Sequence, residues 1–201
     1  MLIRHYIVDD FYNNPEQLVE TAIGSAQEQT PGRDCAGVTT FPASMGQQQR
    51  DILQQVTHGH WLDSQTDAVG EITFSRQQGL LKQTIQLAAS SGSKWAGVVY
   101  LSKDHPAVDG TTFWKHLRTG LEEIPKTREG LSEQGWDTKE NLESFLEVDG
   151  ADESLWEKTF TVPYKYNRLV LFRPWMFHSH GPAFGDTLNS SRVVQTLFLD
   201  N

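Results

Sequence analysis

The C-terminal part of the chain carries the residues whose types and spacing are best suited to chemistry. His178 and His180 stand two residues apart, and Arg192 opens the next apolar run. A strand histidine can bind a metal ion, and an arginine on the next strand can pair with a carboxylate. A ferrous site with a keto-acid cosubstrate requires this layout. Residues two apart in a regular strand share a face, so His180 is expected beside His178, as a polar rim residue or as a spare ligand.

Other potential metal ligands are more scattered. His58 and His60 lie close to Asp63, and His116 is a further candidate. The spacing at 58–63 favours a surface loop at a helix end; the alternative is that these residues replace missing ligands of the C-terminal site. Cys35 is the only cysteine, which excludes an internal disulfide and a cysteine-based zinc or iron–sulfur site. The sequence motifs of serine hydrolases, P-loop proteins, dinucleotide-binding proteins and zinc proteases are absent.

The elements that must position these residues change in type along the chain. After a first strand at Leu2–Val8, Asn14 and Pro15 form a helix start, and an apolar stripe at helical spacing follows. A second helix is predicted at about Gly46–Thr57. Beyond it, alternation with period two and intervening turn residues predict strands. These are Glu71–Ser75, Gln83–Leu87, Trp95–Leu101, Thr111–Lys115, Thr159–Tyr164, Arg168–Phe172, Met176–His180 and Arg192–Asp200.

This order of elements predicts a mainly β fold with flanking helices. The chain of 201 residues is the right size for a single domain, 1–201. Eight short strands after a helical N-terminal part, residues 1–65, favour a jelly roll with those helices packed outside. The segment 117–157 is predicted to be a helical insertion between two strands.

Composition narrows the possible partners and the location. The formal net charge of −9 disfavours nucleic acid, because an acidic chain repels phosphate backbones. No run of eighteen apolar residues predicts a membrane span, and the N-terminus does not have the pattern of a signal peptide. A cytoplasmic protein is therefore expected. The oligomeric state is left open.

The chain contains several segments whose order and spacing resemble those of the iron/2-oxoglutarate oxygenases. More narrowly, the chain resembles a bacterial and phage-associated group of uncharacterised domains with that fold. The resemblance implies a double-stranded β-helix, a cupin-like jelly roll, with Fe(II) and 2-oxoglutarate as cofactors. The segments that carry it are Ile7–Tyr12 with Asn14-Pro15, Pro31–Arg33, Trp95–Ser102, Gly110–His116 with Thr119-Gly120, and Asn167–Asp200.

The resemblance also implies roles for particular residues. His178 matches the distal metal-binding histidine, and Arg192 matches the residue that pairs with the far carboxylate of 2-oxoglutarate. Tyr100 lies on a strand that lines the cosubstrate pocket. Without the resemblance, His178 would be interpreted as a core histidine with its hydrogen bonds satisfied, and Arg192 as a salt-bridge partner at a strand edge.

The sequence departs from the family pattern at the other two metal ligands. The family has a His-x-Asp motif about ten residues before the strand that begins at Trp95, and counting back places Gln86 and Ala88 there. A ferrous site needs two imidazoles and a carboxylate on one face of the metal. The glutamine amide is a weak ligand and alanine provides none, so the usual iron site is expected to be incomplete.

Two hypotheses follow. In the first, the protein is an oxygenase that hydroxylates a small molecule or an amino-acid side chain, with His178 as metal ligand and Arg192 as cosubstrate anchor. In the second, it is a non-catalytic or metal-independent relative that uses the jelly-roll pocket to bind a ligand or a protein partner. The expected ligand is a small molecule or an amino acid or peptide.

Overall fold

A computed structural model describes residues 3–28, 38–43, 45–58, 70–77, 84–88 and 93–199. The described residues are mainly β with a few helices. The strands are β1 His5–Val8, β2 Val38–Ala43, β3 Gly70–Ser75, β4 Trp95–Tyr100, β5 Asp109–His116, β6 Trp156–Pro163, β7 Leu169–Phe172, β8 His178–Ser179 and β9 Arg192–Leu199. The α-helices are α1 Pro15–Glu28, α2 Gln47–Thr57, α3 Arg128–Glu133 and α4 Lys139–Val148.

The strands form two antiparallel sheets. The larger has six strands in the order β1-β7-β4-β9-β3-β2, and the smaller has three in the order β6-β5-β8. The segment 84–88 extends the smaller sheet beyond β8, because Gln86 and His178 form an antiparallel bridge. Strand pairing therefore brings residues from distant parts of the sequence to the same edge.

Period-two alternation divides the apolar side chains into three layers. In β4, Val99 packs outside the larger sheet while Val98 and Tyr100 face inward. In β5, Phe113 faces inward and Trp114 packs outside the smaller sheet. The inner layer, which we call the barrel interior, lies between the two sheets and contains Ala96, Val98, Tyr100, Phe113, Val162, Tyr164, Val170, Phe172, Met176, Phe184 and Val194.

The N-terminal helices cover the outer face of the larger sheet. The side chain of Asn14 accepts a hydrogen bond from the backbone N–H of Gln17, as its predicted capping role requires. The apolar layer on the outer side of the larger sheet also contains Leu18, Val19 and Ala22 of α1 and Leu53 of α2. None of the described helices has the length and apolar character needed to cross a membrane.

Helices α3 and α4 cover the smaller sheet from its outer side. Each is preceded by a capping threonine, Thr127 or Thr138, whose hydroxyl accepts a hydrogen bond from a backbone N–H. Phe145 of α4 packs with Trp136, Trp156 and Phe177 in the third apolar layer. The segment 117–157 is thus helical in part, although β6 already begins at its penultimate residue.

Two strand predictions need correction. The strand β2 was not predicted; it pairs only with β3 at the edge of its sheet and contains Pro42, which weakens the sequence pattern for a strand. The strand predicted at 83–87 pairs in the described residues only through the single bridge at Gln86. Its neighbour β8 is only two residues long, and backbone hydrogen bonds at Ile85, Gln86 and Ala88 hold the segment 84–88 in place.

Candidate functional site: a buried cation facing imidazoles

Arg192 points into the barrel interior from the start of β9. Alternation along β9 puts Arg192 with the inward-facing Val194, while Val193 joins the outer layer. Only 4% of Arg192 is exposed. Its Nε and Nη2 atoms are buried and have no hydrogen-bond acceptor among the described residues. Burial lowers the pKa of Arg192, and only the nearby Tyr164 and Tyr100 act in the other direction. Arg192 is therefore a buried cation without a counter-charge in the described part of the chain.

Tyr100 and Tyr164 stand beside this guanidinium. Their rings stack at 4.5 Å between centroids, and Arg192 lies 6.0 Å from the centroid of Tyr164. The hydroxyl of Tyr100 is 2.8 Å from Oγ1 of Thr111. The hydroxyl of Tyr164 donates to the carbonyl of Val193 and accepts from the backbone N–H of Ser102. Burial raises the pKa of Tyr100 to about 12, so this phenol stays neutral and does not balance the charge of Arg192.

His178 lies on β8, and its ring contacts the barrel interior. Its Nδ1 donates to the carbonyl oxygen of Met176 at 3.0 Å, which leaves Nε2 as the nitrogen with a lone pair. Its ring packs 4.7 Å from Phe172 and 6.5 Å from Phe113, measured between centroids. Burial lowers the pKa of His178 to about 4, so the imidazole is neutral at physiological pH.

His180 and Gln86 meet beside His178. The amide nitrogen of Gln86 lies 2.7 Å from Nε2 of His180. Burial, followed by the charges of His178 and Arg192, lowers the pKa of His180 to about 3. The imidazole is therefore neutral, and its Nε2 accepts from the amide. The backbones of Gln86 and His178 exchange two hydrogen bonds, of 2.8 and 3.0 Å, which fix this arrangement.

Ala88 occupies the remaining position of the expected metal motif. Its methyl group packs against the apolar residues of the interior. The described residues contain no group of three histidine, cysteine, aspartate or glutamate side chains placed to hold a metal ion. A ferrous site with two imidazoles and a carboxylate therefore does not fit the described interior.

The other sequence candidates lie elsewhere. His58 is exposed at the C-terminal end of α2, whereas His60, Asp63 and Cys35 lie outside the described residues. His116 is buried on the outer side of the smaller sheet, where its ring contacts Phe145 and Trp156 and its Nε2 is 3.2 Å from Asp149. It therefore belongs to the packing between β5 and the α4 region and not to the barrel interior.

The structure brings together Gln86, His178, His180, Tyr100 and Arg192, which were singled out in the sequence. It adds Tyr164, which the sequence analysis did not identify. The signal for Tyr164 was the alternation through its predicted strand, since Val162 and Tyr164 both face inward.

The chain matches one protein-family model and is similar to several solved structures. The model of a family of unknown function, DUF6445, matches residues 3–188. No curated protein sequence matches the chain. Among solved structures, the Fe(II)/(alpha)ketoglutarate-dependent dioxygenase TqaL is similar with a TM-score of 0.50 and 9% identity, covering 98% of this chain and 83% of that one.

Two further solved structures are similar over nearly the whole chain. A prolyl-4-hydroxylase from Pseudomonas putida gives a TM-score of 0.42 at 13% identity, covering 98% of this chain and 92% of that one. HygX from Streptomyces hygroscopicus, solved with nickel and 2-oxoglutarate bound, gives a TM-score of 0.42 at 9% identity, covering 98% of this chain and 83% of that one. With the TqaL comparison, the two antiparallel sheets are consistent with a double-stranded β-helix as in 2-oxoglutarate oxygenases.

Proposed function

The chain belongs to the DUF6445 family of unknown function, and we propose that it binds a small carboxylic acid inside the barrel through Arg192, without a metal ion. The observation that carries this proposal is the buried guanidinium, of which two nitrogens lack an acceptor among the described residues. In this proposal the protein is a metal-independent relative of the 2-oxoglutarate oxygenases.

The energetics of a buried cation support an anionic ligand. An ionised group removed from water without a counter-charge is strongly unfavourable, and buried charges are normally paired. The neighbours Tyr100 and Tyr164 are neutral hydroxyls, and both are already engaged in hydrogen bonds. A ligand that supplies two acceptors in one plane would satisfy the N–H groups of Arg192 that have no acceptor among the described residues. A carboxylate has this geometry, since it accepts paired hydrogen bonds from a guanidinium.

The lining of the interior suggests the rest of the ligand. The ring of His178 packs against Phe172 and Phe113, so its surroundings in the interior are apolar and aromatic. The lone pair of His178 at Nε2 can accept a hydrogen bond from the far end of a short ligand. A dicarboxylic or keto acid of the size of 2-oxoglutarate is the first candidate; the fold of TqaL supports this choice only by analogy.

The residues at the metal position support a metal-independent site. Ala88 contributes only a methyl group, and Nε2 of His180 already accepts a hydrogen bond from Gln86. A metal ion would have to displace this bond and would gain no carboxylate among the described residues.

A second candidate function is an oxygenase that hydroxylates a small molecule or an amino-acid side chain. The adjacent rings of His178 and His180, with centroids 5.4 Å apart, are the observation that favours it. Such an enzyme would need ligands other than the usual two histidines and one carboxylate. A measurement of iron binding distinguishes the two proposed functions, because only the oxygenase requires iron.

The proposal is tested by calorimetric titration of metal-stripped protein with 2-oxoglutarate, succinate and glutarate in the presence of EDTA. Saturable binding of at least one acid is expected, weakened roughly tenfold or more by Arg192→Met, because a charge-assisted hydrogen bond contributes about 1.5–3 kcal/mol. Arg128→Met removes an exposed arginine of α3 and should leave binding unchanged. Equal affinity in wild type and Arg192→Met, or no binding of any of these acids, would contradict the proposal.

A further inference from the structure

A cavity lies between the segment 84–88 and helix α4, and Gln86 and Ala88 are among the residues that line it. Its volume is about 970 Å³, which is in the range of small-molecule sites. Most of the lining is apolar. The apolar lining residues are Leu87, Ala88, Ile124, Leu142, Leu146, Pro174 and Trp175.

The charged residues of this cavity are mainly cationic. Lys94, Lys139 and Arg173 line it together with a single acid, Glu143. Glu143 is already paired with Lys139 at 3.3 Å, so the lining has an excess of two positive charges. This excess stands out because the whole chain carries a formal charge of −9.

Arg173 is held in place at the edge of the cavity. Its guanidinium lies 3.6 Å from the ring centroid of Trp95, and its Nη1 donates to the carbonyl of Lys94 at 3.0 Å. Its orientation is therefore fixed before any ligand arrives, which reduces the entropy lost on binding. Lys94 is exposed and adjacent, so it can approach the same anionic group.

We propose that this cavity binds a monocarboxylate with an unbranched apolar tail. The carboxylate pairs with Arg173 and Lys94, and the tail lies on Leu142, Leu146 and Trp175. Charge complementarity selects an anion, and the extent of the apolar lining selects a tail of medium length. Arg192 is not part of this lining, so the site does not depend on the function proposed for the barrel interior.

The test is calorimetric titration of the full chain with decanoate, octanoate and 1-decanol. Decanoate is expected to saturate one site, and octanoate to bind on the order of fourfold more weakly for each methylene lost. Decanol should bind roughly tenfold more weakly than decanoate, because it lacks the charge. Equal binding of decanol, or binding that does not saturate, would overturn the proposal.

Variants locate the site. Leu142→Lys, which puts a charge on the apolar floor, and Lys94→Glu, which reverses a charge at the edge, should each weaken decanoate binding roughly tenfold. Lys103→Glu makes the same charge change at an exposed residue outside the cavity and should have no effect. Arg192→Met should also leave decanoate binding unchanged. Unchanged affinity in Leu142→Lys or Lys94→Glu, or a loss in Arg192→Met equal to theirs, would assign the ligand to another place.

Discussion

The amide nitrogen of Gln86 lies 2.7 Å from Nε2 of His180, across two segments that are 94 residues apart in sequence. This hydrogen bond occupies the lone pair with which His180 could bind a metal ion. The adjacent His178 keeps its own Nε2 lone pair, and Ala88 adds no ligand. Gln86 and His180 thus form a hydrogen-bonded pair beside the neutral imidazole of His178.

Restoring the family ligands should create a metal site. The double variant Gln86→His with Ala88→Asp places an imidazole and a carboxylate opposite His178, since Gln86 and His178 form an antiparallel bridge. We expect its affinity for Fe(II), measured by anaerobic titration, to exceed that of the wild type by roughly tenfold or more. Leu87→His is the matched control, because Leu87 packs on the outer side of the sheet. No gain in the double variant would show that 86 and 88 do not face His178.

Removing the buried cation should not destabilise the ligand-free protein. Methionine has a similar volume and carries no charge, so Arg192→Met should leave the free energy of unfolding unchanged or raise it by about 1–4 kcal/mol. The variant should, however, lose the stabilisation that a bound acid provides, which is about 2.7 kcal/mol at a hundred times its Kd. Urea unfolding with and without 2-oxoglutarate measures both effects. A large loss of stability in the ligand-free variant would mean that Arg192 has an internal counter-charge.

Stability should fall as the pH is lowered from neutrality toward 4. The pKa of His178 is about 4 and that of His180 about 3 in the folded protein, against about 6.5 in the unfolded chain. Between these values only the unfolded chain takes up the protons, which favours unfolding. For each histidine, this proton uptake should lower the free energy of unfolding by about 2 kcal/mol between pH 7 and pH 5. Asp9 does not contribute in this window. Arg168 and Lys165 lower its pKa to about 2, so protonation of Asp9 lowers stability only below about pH 4.

Substitution isolates the contribution of the interior histidines from that of others with lowered pKa values, such as His5 and His116. In His178→Gln, the loss of unfolding free energy between pH 7 and pH 5 should be smaller than in the wild type by about 2 kcal/mol. His58→Asn, a change at an exposed residue with positive φ, should keep the wild-type pH dependence. Parallel pH profiles for wild type and His178→Gln would mean that His178 is not buried as described.

Phe177 should stabilise the packing of the segment 117–157 against the smaller sheet. It is fully buried and packs against Trp136, Phe145 and Trp156 of the helical layer. Phe177→Ala should lower the free energy of unfolding by about 3–5 kcal/mol, because it leaves a cavity in this layer. Val148→Ala is the control, since Val148 is 65% exposed and its change should stay within about 0.5 kcal/mol. A small effect of Phe177→Ala in urea unfolding would indicate that the layer packs loosely.

Local patterns in the sequence account for much of the fold. The cap at Asn14, the apolar stripe of α1 and the alternation of β4, β5 and β9 all have local signals. The inward orientation of Tyr100 and Arg192 follows from the same alternation. Their roles in binding stay predictions.

Other features depend on contacts between distant segments, which no local pattern determines. The Gln86–His180 pair arises from antiparallel pairing at the sheet edge. The lack of an acceptor for Arg192 among the described residues depends on which side chains of several strands meet in the interior. The edge strand β2 has a weak local signal because it contains Pro42, and it is formed by pairing with β3.

The most direct test of the account compares the binding of 2-oxoglutarate by metal-stripped protein, under anaerobic conditions, with and without Fe(II). We predict the same affinity in both cases and no visible charge-transfer band of a chelated keto acid, because in the proposed site Arg192 holds the carboxylate, and Gln86 is hydrogen-bonded to His180. Binding that requires Fe(II), accompanied by that band, would contradict the account and establish an iron centre.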